Sequence, residues 1–410
     1  MHILNTIIVS FSLFLCGELH AAGAYRARDL IQLAIQRNPE LKALKFESEA
    51  RLNFASQSSR WENPNLELGA EWKDQPIGKT DLTKVGISQQ IPRPGRLKAK
   101  TNAANARSKL AAIQQQLSEL QLRHEVLRLI YEYRAAAEKA VHAQERLDRF
   151  KTIGTYLRSQ VFAAPQKRAE ASIVRTKLLI LGREFRELEA ERKIAWNKLN
   201  LYLGLTSEPK MDTPWFKSGD SFKIDDLTAK AQANSPILQR QEMSLKDVES
   251  QLQLARTESW QGITLNAGYA SGSGVDPEKV YGLGVSFPLP ILNLNSGNIR
   301  GLDHQLDAER ERSNWARQRL NQEIKAAFEH YDAARVSVQE LKIDDLPKFE
   351  KEMKAIDQGF KKGQVDLLTY IEADAEHFET LNAMLDSQID FIGARSALYE
   401  LIGQPSPEAE

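Results

Sequence analysis

Two hydrophobic periods take turns along this chain. Long stretches place an apolar residue every three to four positions, the period of a helix face. Four short stretches alternate apolar and polar residue by residue, the period of a strand. Leu110, Ile113, Leu117, Leu120, Leu127 and Tyr131 mark a helix that runs without proline from Leu97 to about Gln160. At about 1.5 Å per residue it is a rod of roughly 96 Å. Leu181, Phe185, Leu188, Ala195 and Leu199 predict its partner. Leu320, Ile324, Ala327, Tyr331, Ala334, Val338 and Leu341 are spaced 4, 3, 4, 3, 4, 3, which is a coiled-coil seam. Alanines such as Ala103, Ala106, Ala111, Ala135 and Ala140 let a helix pack on two sides. A plain coiled-coil dimer with a solvated outer face satisfies the same periodicity.

The alternating stretches are Asn65–Trp72, Leu82–Ile91, Ile263–Ala270 and Val280–Phe287. One side carries Leu66, Leu68, Trp72, Val85, Ile87, Leu265, Tyr269, Tyr281, Leu283 and Phe287. The other carries mostly Gly, Asn, Ser, Thr and Glu. Alternation of this length is the pattern of an outer-membrane barrel strand, with the ten apolar residues facing lipid. A soluble hairpin with one face on a core reads the same way. The segments Lys73–Asp81 and Ser271–Lys279, rich in Gly, Pro and Asp, are predicted as hairpin loops.

The chain repeats itself. Asp29-Leu30, Asn38-Pro39, Trp61, Ile91-Pro92 and Leu203-Gly204 are answered by Asp226-Leu227, Ser235-Pro236, Trp260, Phe287-Pro288 and Ile402-Gly403, at offsets of 196 to 199. Five ordered matches at one offset read as a duplication. Residues 25–205 form the first repeat, 206–221 a linker, 222–404 the second repeat and 405–410 a tail. Each repeat is expected to hold a helix of about 30 residues, a hairpin and two long helices. Residues 1–24 read as a signal peptide: a short apolar run, then Ala21-Ala22-Gly23-Ala24. Its n-region is weak, with only His2 beside the start amine. Cys16 follows the bulky Leu15, which disfavours a lipidation site. No later window approaches the roughly 18 apolar residues of a membrane helix.

Charge and composition narrow the field. Lys+Arg and Asp+Glu number 55 each, so nothing in the whole-chain charge favours nucleic acid. One cysteine excludes an intrachain disulfide and a Cys-based zinc site. His124, His142, His304, His330 and His377 show no i, i+3 or i+4 pair, so no metal site or cofactor is expected. Neither a phosphate-binding Gly-Lys-Ser/Thr loop nor a His-Glu-x-x-His helix occurs, and no catalytic residue is assigned. The glycine-rich Gly268–Gly274 reads as strand and extracellular loop.

Four strands cannot close a barrel, and an open edge is not tolerated in lipid. Two copies would give eight strands, a filled barrel, and three would give twelve, enough for a lumen. The predicted fold is therefore mainly α with a small β part. Long antiparallel coiled-coil helices accompany four strands per chain contributed to a shared twelve-stranded trimeric barrel.

Over residues 26–404 the chain resembles the TolC family of outer-membrane efflux ducts, and within it the heavy-metal-efflux, CzcC-like branch. The resemblance rests on the repeat, on Gln89–Arg96 and Phe287–Pro290 at the strand ends, and on Phe360–Asp374, an aromatic-x-x-Gly turn followed by a leucine-rich acidic start. It implies a homotrimer in the outer membrane whose helical tunnel crosses the periplasm. The partners it implies are a periplasmic adaptor and an inner-membrane pump of the RND type. Cargo would pass without hydrolysis: heavy-metal cations, or, on the same architecture, drugs or secreted protein. It also implies that acids after the second helix–helix turn ring the periplasmic constriction: Glu372 first, with Asp366 and Asp374 near it. Three copies of each carboxylate around one axis would favour cations. Thr369 stands where some relatives place another acid. The turns near Val161–Lys167 and Gly359–Asp366 would meet the adaptor, through Pro165, Gly363 and Gln364. A periplasmic structural coiled-coil protein is the more remote reading.

Overall fold

A computed structural model describes residues 24–75, 78–159, 165–216, 219–274 and 279–407. Residues 1–23, most of the expected signal peptide and with it Cys16, lie outside the described residues. The first repeat comprises α1 (Ala27–Arg37), α2 (Pro39–Ser58), β1 (Asn65–Gln75), β2 (Gly78–Pro92), α3 (Arg96–Ser159) and α4 (Pro165–Leu203). The second comprises α5 (Ile224–Asn234), α6 (Pro236–Glu258), β3 (Gly262–Gly274), β4 (Lys279–Ser286), α7 (Ser296–Glu340), α8 (Leu346–Lys361) and α9 (Leu367–Leu401).

The helices form four parallel lines: α2 with α4, then α3, then α6 with α9, then α7 with α8. Side chains fasten the junctions within a line. Arg37, the last residue of α1, donates to Leu203 O at 2.6 Å and Gly204 O at 3.1 Å, so α4 ends where α2 begins. In the second repeat Gly403 comes up against Asn234 and Pro236, so α9 ends where α6 begins.

The long helix α3 spans 64 residues, as its uninterrupted apolar seam predicts. Three departures from the sequence reading have local causes. The opening helix of each repeat is two helices, broken at Asn38-Pro39 and Ser235-Pro236. Proline lacks an N–H and suits the first helical position, so it starts a helix rather than continuing one. Asn38 Oδ1 caps the new start, accepting from Glu40 N at 2.8 Å and Leu41 N at 3.0 Å. The second repeat's long helix is also broken. α7 stops at Glu340, a single 3-10 turn covers Ile343–Asp345, and α8 restarts at Leu346 with Pro347 in its first turn. Finally, the strands run further into the expected hairpin loops. Lys73, Asp74 and Gln75 pair with Thr80, Lys79 and Gly78, and β3 continues to Gly274. Backbone pairing outlasts the apolar alternation there because a ladder needs only N–H and C=O groups. Residues 76–77 and 275–278 lie outside the described residues.

All four strands form one antiparallel sheet in the order β1-β2-β3-β4. The two hairpins, one from each repeat, join through β2 and β3, with Val85 opposite Tyr269. The linker is a strap across the helices. Tyr131 on α3 donates its hydroxyl to Pro214 O at 3.0 Å, and Tyr331 on α7 donates to Asp220 O at 2.8 Å. Between them Gln388 of α9, fully buried, holds Phe216 by both its N–H and its C=O.

Candidate functional site

The sheet separates its chemistry by face. Register places Leu66 opposite Ile87, Leu68 opposite Val85, Val85 opposite Tyr269, and Tyr269 opposite Tyr281. Leu265 and Leu283 share that side, and Phe287 follows it one residue past β4. Trp72 stands at its far end, opposite Asp81. Side-chain period two puts all ten expected apolar residues on one face. The protomer itself leaves that face open: Leu283 is 92% exposed and Trp72 76%. Tyr269, packed at 5.2 Å on the Tyr281 ring, is half-buried.

The opposite face is largely polar. Ser88 donates to Glu67 Oε1 at 3.2 Å, and Lys84 pairs with Glu71. Asn266, Gly86, Gly268, Gly282 and Gly284 complete it, with Leu82 and Val280 as apolar members. In the sheet β1 and β4 are the two edge strands.

At the other end of the rods, the turn from α8 to α9 is closed by backbone bonds. Gln364 N donates to Gly359 O at 2.8 Å and Gly363 N to Phe360 O at 3.0 Å. Gly363 sits at φ +73, the left-handed position that ends a helix in this motif. Gly363 and Gln364 are both exposed. Of the turn between α3 and α4, residues 160–164 lie outside the described residues. Pro165 is the first residue of α4 and is exposed.

The three acids after the α8–α9 turn stand in different settings. Asp366 is the N-cap of α9: its carboxylate accepts from Leu368 N at 2.9 Å, Thr369 N at 3.1 Å and Thr369 Oγ1 at 2.6 Å. The Thr369 hydroxyl and then the backbone amides hold its pKa below the usual carboxylate range. Glu372 is exposed and takes no ion-pair partner among the described residues.

Asp374 departs from the expectation of an acid facing a lumen. Its side chain is fully buried and bonded to Arg146 Nε and, at 3.1 Å, to Arg149 Nη2. Arg146 also bonds Glu184 at 3.1 Å and lies 4.6 Å over the Phe378 ring. Asp374 is thus paired with two arginines within the protomer, while Arg149 and Glu184 remain partly open to solvent.

Beside them Tyr370 donates to Asp357 and packs between Phe150 and Phe360, at 5.6 and 5.0 Å. Burial, then the Asp357 bond, raises its hydroxyl pKa well above the usual tyrosine range. The sequence reading missed Arg146 and Arg149. The available signal was two cations set among Leu147, Phe150 and Ile153, the apolar seam of α3.

Among the described residues no group of three or more His, Cys, Asp or Glu side chains is placed to hold a metal ion, and no helix is long and apolar enough to cross a membrane. What the molecule offers is a sheet with two open edges and opposite faces of opposite polarity, carried on long helices.

The same build recurs in solved channels. Over 93% of this chain and 92% of the other it matches crystallised CusC with a TM-score of 0.73 at 16% identity, from work on folding and transmembrane channel formation. The open-state outer membrane channel MtrE of Neisseria gonorrhoeae matches with a TM-score of 0.72 at 16% identity, over 92% of this chain and 89% of the other. In sequence, 175 residues are 23% identical to the cobalt-zinc-cadmium resistance protein CzcC of Cupriavidus metallidurans. That match spans 43% of this chain and 40% of CzcC. Residues 30–205 and 227–404, one block in each repeat, match the outer membrane efflux protein family. The chain belongs to the outer membrane efflux protein family, a family of efflux proteins and not of enzymes.

Proposed function

We propose that three copies of this chain close a twelve-stranded barrel in the outer membrane and continue it as a helical tunnel in the periplasm. The observation that carries this reading is the four-stranded sheet, open at β1 and β4 and apolar on one face. In lipid both edges must be paired, and pairing β4 of one copy with β1 of the next satisfies each in turn. Twelve strands leave a lumen, lined on this reading by the Gly, Asn, Ser and Glu face. Leu66, Leu68, Trp72, Val85, Ile87, Leu265, Tyr269, Tyr281, Leu283 and Phe287 face the acyl chains.

The duct takes its cargo from an inner-membrane pump of the RND type through a periplasmic adaptor. The adaptor meets the turns at Pro165, Gly363 and Gln364, whose exposure supports the assignment. Glu372 supplies the charge at the periplasmic constriction, since it is the exposed and unpaired acid near the turn. Asp366, engaged in capping α9, contributes less. The cargo is a heavy-metal cation, a reading supported by the partial likeness to a cobalt-zinc-cadmium resistance protein.

Two measurements test this. Purified protein in planar bilayers should form a large cation-selective pore, and Glu372→Gln should reduce that selectivity. A pore indifferent to the substitution would remove the gate assignment, and folded protein without conductance would remove the duct. Separately, a strain lacking the protein should lose resistance to cobalt, zinc or cadmium, with resistance restored by the chain.

A further inference from the structure

The two connectors that lead from sheet to helix have opposite chemistry. In the first repeat Arg93 lies in the connector, and Arg96, Lys98 and Lys100 follow in the first turns of α3. Arg93 is tied down: its N–H donates to Gln261 O at 3.0 Å and its guanidinium lies 5.8 Å over the Trp260 ring.

In the second repeat residues 287–294 read Phe-Pro-Leu-Pro-Ile-Leu-Asn-Leu. Phe287, Leu289, Ile291, Leu292 and Leu294 are all exposed, Leu292 fully at 100%. The backbone below them is fixed. Asn295, left-handed at φ 58, donates through Nδ2 to Ala255 O at 2.9 Å near the end of α6. The apolar side chains are therefore held outward on a tethered segment.

Length indicates what covers them. From Tyr281 to Phe287 the outward face runs six residues, about 20 Å of strand. At a barrel tilt of roughly 40° that spans only about 15 Å of height, whereas the apolar band of an outer-membrane barrel is about 25 Å tall. Past Phe287 the chain leaves the strand and turns, with Ile291 N donating to Leu289 O at 2.9 Å, and Leu289, Ile291 and Leu292 carry exposed apolar surface on beyond the strand's end, where the strand's own falls short of the band. The surroundings fit an interface. Trp61 and Trp260 are exposed at the base of the sheet, where indoles favour the headgroup level.

We infer that residues 287–294 are a membrane-contact element, seated in the upper acyl region of the periplasmic leaflet, which completes the lipid-facing height on this side of the sheet. The inference rests on the barrel reading, and its test separates the two.

Cys16 is the chain's one cysteine and lies in the leader stretch. Single cysteines can therefore be placed at Leu283→Cys, Leu292→Cys and Lys98→Cys in a Cys16→Ser background, with the full chain purified from outer membranes. Each is labelled with an environment-sensitive fluorophore. The protein is then reconstituted into phosphatidylethanolamine–phosphatidylglycerol vesicles with and without lipids brominated high on the acyl chain. Positions 283 and 292 should each lose about half their emission to the bromolipid, as groups within ~10 Å of the acyl boundary do, and position 98 should keep its own. Quenching at 283 but not at 292 overturns the inference and leaves the barrel standing. In that outcome blue-shifted emission at 292 indicates cover by a second copy, and red-shifted emission indicates water. Quenching at 98 as strong as at 292 overturns it too, because the contact would not belong to this connector. No quenching at either 283 or 292 overturns the barrel reading together with it.

Discussion

The first repeat keeps one helix unbroken for 64 residues, and the second divides the corresponding line at Leu341–Leu346. The intact helix α3 touches α2, α4, α6 and α9, so it is the spine of the protomer. The divided line, α7 with α8, is an outer one with fewer neighbours to keep in register. The break thus falls in the line that contacts fewer elements. The helix ends show the same inequality. The first repeat fastens the end of α4 with Arg37. The second fastens its end with His124, which bonds Gln404 O at 3.2 Å from α3.

The spine's tie to the second repeat is the largest single dependence. Asp374→Ala should remove the buried partner of Arg146, which then keeps only the part-exposed Glu184, and lower stability by about 3 kcal/mol. Thermal melts followed by circular dichroism would read it. A double change, Asp374→Leu with Arg146→Met, should recover much of the loss, and equal loss in both would show that packing and not charge is at stake.

Next comes the contrast between the two fastenings. Burial first, opposed by the Gln404 bond, lowers the His124 pKa to about 4 from 6.5. Nδ1 is buried without a partner, so a proton there has nothing to bond. The fold favours the neutral ring. That stabilisation is complete above pH 6.5 and is lost as pH falls from 6.5 towards 4, about 3 kcal/mol in all. Urea melts at pH 7.5 and 4.5 should show His124→Gln with a shallower acid loss than wild type, and Arg37→Gln with an unchanged slope.

The paired glycines sharpen the contrast further. Both are left-handed, Gly204 at φ 59 and Gly403 at φ 72. A Cβ at 403 would fall 2.6 Å from Asn234 O, whereas at 204 the nearest atom is Arg37 Nη1 at 3.7 Å. Gly403→Ala should therefore cost about 2–4 kcal/mol and Gly204→Ala about 1 kcal/mol. Equal losses in denaturant melts would mean that backbone strain alone governs both.

The smallest effect marks where the repeats agree. Tyr131→Phe and Tyr331→Phe each remove one hydroxyl bond to the strap, about 1 kcal/mol apiece. Unequal losses would break the symmetry of the linker.

Periodicity revealed the rods and the strand faces well. The sequence places α3 from Leu97 to about Gln160, against Arg96–Ser159 in the structure. All ten outward residues fall on one face because strand alternation is a property of the backbone and survives without tertiary context. The breaks at Pro39, Pro236 and Pro347 were harder. Proline is as acceptable in the first turn of a helix as it is disruptive within one, and the apolar seam continues through Leu341 into the break. Asp374 was illegible for another reason. Its partners lie 228 and 225 positions away, and nothing local distinguishes a buried paired acid from an exposed one such as Glu372.

The joint between the hairpins has a consequence for the order of folding. Val85 meets Tyr269 across 184 positions of chain, while within each hairpin the partners are close in sequence. Closing so long a loop carries an entropic penalty that rises by about 0.6 kcal/mol per doubling of length, and contacts of that kind form slowly. The intervening helices shorten the effective loop once they have formed and packed. The helical half is therefore the template, and the complete four-stranded sheet is the last surface to be assembled. A chain folding in this order would present its most apolar face only after the helical part is finished, which limits the time in which that face can aggregate.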